Sequence, residues 1–141
     1  MKGTQTEMGL KGLFMANSED HLLLSFTSEK LYQLNRKEEA QMVKEKSLVE
    51  LGHAKGILEK LVKYMGVNSM KEWLNEIKNK KGDDVKEEFM LTCTVYLLSK
   101  LLSEKISDIK EKEELTKQAE IYYQKAKEIY EKLLESNINV A

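Results

Sequence analysis

The sequence predicts an all-α protein: an antiparallel four-helix bundle made of two long hairpins joined by a crossover that carries a short helix. Three observations predict it. The 141 residues include no proline and only seven glycines, and 33% are charged. That composition favours long helices and leaves a sheet short of β-branched and turn residues. One helix-start device recurs, a capping residue with Glu three positions later, at Thr4/Glu7, Asn35/Glu38, Ser69/Glu72, Asp84/Glu87 and Asp108/Glu111. Between these starts, apolar residues return with the 3.6-residue period of one helix face.

The first helix is expected over 5–34, with Met15, Glu19, Leu22, Leu23 and Phe26 along one side. The hairpin should turn near Asn35. The second helix, over 36–65, aligns Val43, Ser47, Glu50, Ala54, Ile57, Leu61 and Tyr64 in a stripe, with His53 beside it. Gly66 is placed to end it, as a residue able to take positive φ. A short helix near 70–80 follows, with Gly82 placed to end it in the same way, and its Trp73 is expected to close one end of the core. A third long helix is expected over 84–106 and a fourth over 108–136. The fourth has an apolar face of Leu115, Ala119, Tyr122, Ala126, Ile129 and Leu133, with Tyr123 and Tyr130 at its edge. Residues 1–141 are read as one domain, long enough for a single core.

Several function classes are disfavoured. The net charge is -1, and the basic residues are spread along the chain, so no nucleic-acid face emerges. Cys93 is the only cysteine, which excludes disulfide scaffolds, Cys-based zinc sites and CxxC redox centres. It is read as a small buried hydrophobe. No secretory signal and no apolar run long enough to span a bilayer is present, so a soluble cytoplasmic protein is expected.

Chemistry enters at Glu50-Leu51-Gly52-His53. Residues three apart on a helix point to the same side, and Glu50 lies in an apolar stripe where an unpaired carboxylate is costly. Glu19 lies 16 residues before Asn35 and Glu50 lies 15 after it, so the two carboxylates fall at one height in an antiparallel hairpin. Helical bundles hold iron or manganese with such side chains. His21, two residues from Glu19, is expected on the surface.

The segment Gly9-Leu10-Lys11-Gly12-Leu13-Phe14-Met15-Ala16-Asn17-Ser18-Glu19 resembles the start of the rubrerythrin and ferritin-like family. Ser47-Leu48-Val49-Glu50-Leu51-Gly52-His53-Ala54 resembles that family's Glu-x-x-His-Ala. The resemblance implies a di-iron carboxylate site, with manganese or zinc as alternatives, acting on peroxide, O2 or ferrous iron. By the same alignment Glu88 and Glu120 would complete the ligand set of Glu19, Glu50 and His53, and Tyr96 matches a family tyrosine. The position three after Glu120 is Tyr123, where the family has His. A turn at Asp108 would also put Glu88 and Glu120 out of level by roughly 12 Å at 1.5 Å per residue, whereas a turn near Ser103–Lys105, less well signalled, would bring them level. The family's cysteine-based electron-transfer module is absent, so a redox function needs an external electron-donor protein. A homodimer is expected from bundles of this kind. Two other readings stand beside this one: a ferritin-like bundle with a degenerate or half metal site that acts as a binding or assembly module, and a helical-repeat interaction domain. The repeat reading is weakened by helices of roughly 30 residues without a fixed short period.

Overall fold

The computed structural model describes residues 3–140, with side chains through residue 136. Five helices follow in order: α1 (Gln5–Gln33), α2 (Lys37–Met65), α3 (Val67–Lys78), α4 (Val85–Ser103) and α5 (Ile109–Val140). No strand occurs among the described residues.

Three of the five starts use the device read from the sequence. The Thr4 hydroxyl accepts the Glu7 N–H at 3.2 Å, Asp84 accepts that of Glu87 at 2.8 Å, and Asp108 that of Glu111 at 3.1 Å. The other two differ. Asn35 is not a cap; it takes φ 62° and turns the chain, and Arg36 begins α2 with its guanidinium paired to Glu39. Ser69 lies inside α3, which starts at Val67 directly after Gly66 at φ 87°. Gly66 thus ends α2 and begins α3 at one residue, so no room is left for a separate cap.

α4 is the centre of the molecule. From Leu91 to Ser99 every residue is buried, and α1, α3 and α5 all pack on it. A helix buried on all sides must satisfy its hydroxyls internally. Thr92 and Thr94 donate to the carbonyls of Glu88 and Met90, each at 2.7 Å, and Ser99 accepts from Gln118 of α5 at 2.7 Å. Trp73 of α3 meets Phe14 of α1 edge-on at 5.9 Å. Phe26 of α1 lies between Tyr123 and Tyr130 of α5, at 5.4 and 5.3 Å.

α2 has a different standing. It packs along α1 and against α3, and touches α4 and α5 little or not at all. A closed ring of four helices would set α2 against one of them. Here a cavity of about 420 Å³ lies between Lys44, Leu48 and Leu51 of α2 and Tyr96, Lys100 and Tyr123 of α4 and α5.

Candidate functional site

The α1–α2 seam has a definite register. The Ser28 hydroxyl donates to the Ala40 carbonyl at 2.7 Å, and the Ser47 hydroxyl donates to the His21 carbonyl at 2.9 Å. His21 Nδ1 lies 2.9 Å from the Ser47 carbonyl, which makes it an N–H donor and leaves Nε2 as an acceptor. Ser25 joins through its hydroxyl to Ser47 Oγ. His21, expected on the surface, is therefore buried at the centre of a polar network. The reason is rotation: α2 lies on the His21 side of α1, and only the helix partner decides which side of α1 is inside. Burial pushes the His21 imidazole pKa down, and Lys44, Lys100 and Lys55 push it the same way, with the Ser47 hydrogen bond in partial opposition.

Glu19 and Glu50 share a height, as the seam's register requires, but they engage different partners. Glu19 is half-buried near Cys93 of α4, and the thiol pKa is raised well above normal by burial and then by the Glu19 charge. The Glu19 carboxyl is itself raised by burial and by Asp20. Glu50 instead meets Asp20, whose carboxyl is raised by burial, by the Glu50 charge and by a hydrogen bond to it. His53 Nδ1 lies 3.2 Å from Glu50 Oε1, with the His53 side chain 60% exposed and that of Glu50 23% exposed.

The second hairpin places its acids elsewhere. Glu88 Oε2 accepts the Gly82 N–H at 2.7 Å, closing the loop before α4. The Ser99–Gln118 bond sets the α4–α5 register, and by it Glu88 is level with residue 129. Glu120 lies nine residues short of that level, roughly 14 Å along the axis at 1.5 Å per residue. It is exposed on α5. The structure therefore joins Glu50 with His53 and does not bring Glu19, Glu88 and Glu120 to them. Among the described residues no group of three or more His, Cys, Asp or Glu side chains is placed to hold a metal ion.

What the structure gathers instead is an aromatic groove. Tyr96 of α4 and Tyr123 of α5 stand 5.4 Å apart, and Lys100 reaches over the Tyr96 ring at 5.8 Å with its Nζ 3.4 Å from the hydroxyl. On the α4–α5 side these residues line a groove of about 380 Å³ with Ser103, Thr116, Ala119, Glu120 and Gln124. On the other side the same three line the α2-facing cavity with His21, Ser25 and Glu29. The Tyr123 hydroxyl donates to Glu29 at 3.4 Å, and its pKa is raised to about 12, first by burial and then by the Glu29 charge. It therefore remains a hydrogen-bond donor at any physiological pH. Lys100 and the tilted Tyr96–Tyr123 ring pair were not singled out from the sequence. The available signal is the i, i+4 spacing of Tyr96 and Lys100; the pairing with Tyr123 depends on the hairpin register.

No helix among the described residues is long and apolar enough to cross a membrane. Compared with known protein families, curated proteins and solved structures, the chain gives no match.

Proposed function

We propose that this chain is an α-helical binding module whose ligand seat is the α4–α5 groove. One observation carries the reading: an aromatic floor, Tyr96 and Tyr123, shares a concave site of about 380 Å³ with a cation, Lys100, and an anion, Glu120. Small-molecule sites combine an apolar wall with a few orienting polar groups. A ligand with an apolar or aromatic body and a charged end matches this one. Glu120, expected as a metal ligand, serves in this reading as a charged rim residue.

The test is a chemical-shift titration of the full chain with three probes that share one ring: phenethylamine, 3-phenylpropionate and phenylalanine. Saturable shifts at Tyr96, Lys100, Thr116 and Tyr123 are expected for at least one probe, and Tyr123→Leu should abolish them. Glu120→Lys should weaken the cationic probe and spare the anionic one. Shifts spread over the whole surface, or none with any probe, would sink the reading.

A second reading is favoured by the 3.2 Å contact of Glu50 with His53. It is a half-site for one divalent ion, iron, manganese or zinc, with the external electron donor and homodimer that the family resemblance implies. Metal analysis of protein purified without chelator tests it: about one metal per chain, lost in Glu50→Ala and retained in Glu120→Ala, supports the half-site. No metal in the wild-type protein removes it.

A further inference from the structure

A second concave site lies on an adjoining face of α5, where the end of α3 and the following loop meet α4. It has a volume of about 370 Å³, and four lysines line it: Lys78, Lys80, Lys81 and Lys125. None of the four has an ion-pair partner among the described residues; the cross-helix pairs of the molecule use Lys30, Lys71 and Lys127 instead. Lys125 is held over the Tyr122 ring at 4.5 Å, which fixes one ammonium at the rim.

The acidic residues nearby do not neutralise this site. Asp84 is turned away to cap α4 at the Glu87 N–H, and Asp83 does not line the site. Glu88 is the one carboxylate in its wall, and its Oε2 is bound to the Gly82 N–H at 2.7 Å. The loop is also tightly built: a Cβ on Gly82 would come 2.5 Å from the Glu88 backbone nitrogen. Lys80 and Lys81 therefore extend from a backbone anchored on the first turns of α4.

We propose that this lysine-lined site binds a small multiply charged anion of the phosphate class. Ammonium groups act as point charges toward phosphate oxygens, and four lysines lining one site with a single carboxylate, Glu88, leave an excess of positive charge that a polyanion relieves. The site is independent of the aromatic groove, so either can fail without the other.

Pyrophosphate is the probe, titrated into the full chain at constant ionic strength so that screening does not change. Saturable amide shifts at Lys80, Lys81, Gly82 and Lys125 are expected. The dissociation constant should weaken roughly fivefold or more in Lys125→Gln and further in the Lys80→Gln/Lys81→Gln double variant, the scale of one lost exposed charge pair each. Lys37→Gln, on α2 and outside the lining of the site, should leave it unchanged. Glu88→Gln, which removes the one wall charge, should tighten binding. ADP distinguishes the source of the phosphate: equal affinity assigns the site to the phosphates alone, and tighter binding assigns it to a nucleotide. Non-saturable shifts, or the same constant in wild type and both lysine variants, would overturn the proposal.

Discussion

At the scale of single residues, the seam between α1 and α2 is governed by hydroxyls and one neutral imidazole. Ser47 Oγ binds the His21 carbonyl and Ser25 at once and is fully buried, so Ser47→Ala should cost about 1–2 kcal/mol in urea denaturation. His21 has a folded pKa below the ordinary 6.5 of a free imidazole side chain. The unfolded chain then takes up a proton that the folded chain refuses, so His21 contributes stability above pH 6.5 that is lost as pH falls below it. The slope cannot exceed about 1.4 kcal/mol per pH unit for one proton, and His21→Gln should flatten the fall in melting temperature between pH 6.5 and 5.5. Asp20 has the opposite sign: its raised pKa makes ionisation unfavourable in the fold. Asp20→Asn should therefore stabilise the protein at pH 7, by about 0.5 kcal/mol on the scale of an exposed charge pair, and the gain should vanish below pH 3.8, where both states hold the proton. The Glu50–His53 contact was legible in the sequence because three residues on a helix settle it locally. That Asp20 rather than Glu19 meets Glu50 was not, because one residue turns a helix by about 100° and only the position of α2 shows which carboxyl faces it.

At the scale of elements, helix starts were read correctly where the capping side chain acts within its own turn, as at Thr4, Asp84 and Asp108. The expectation fails where a tight connection replaces the cap: Asn35 sits in the turn itself at positive φ, and α3 starts two residues before Ser69, directly after the glycine that ends α2. Gly66 and Gly82 were assigned one role and have two. Gly66 has φ 87° and ψ 160° with open space around its Cβ position, a region essentially confined to glycine. Gly82 does not have a positive φ, and its missing Cβ makes room for the Glu88 backbone. Both Ala substitutions should destabilise by about 1–3 kcal/mol, through strain at 66 and overpacking at 82. Amide shifts separate the causes: Gly82→Ala should move Glu88 and the loop before α4, whereas Gly66→Ala should perturb the α2–α3 junction and leave Glu88 in place.

At the scale of the molecule, the all-α class and the order of the helices were legible from composition and period, while the arrangement around α4 was not. The stripe of α2 shows that one side is buried but not that α1 alone covers most of it. The consequence is uneven protection. Opening α2 requires breaking its contacts with α1 and α3, and its outward side chains Met42 and Val49 are already 60% and 55% exposed. Opening α4 requires breaking with α1, α3 and α5 together, which amounts to global unfolding. Native-state hydrogen exchange should accordingly be slowest for residues 91–102 and faster, with a smaller opening free energy, across α2. Truncations should follow the same order. Leu97, fully buried in α4, should lose about 2–5 kcal/mol as Leu97→Ala, and Val49→Ala should stay within about 0.5 kcal/mol of wild type. Equal protection of α2 and α4, with a large loss at Val49, would mean that the outer face of α2 is buried in solution and that the exposed side chains seen on it are covered by another chain.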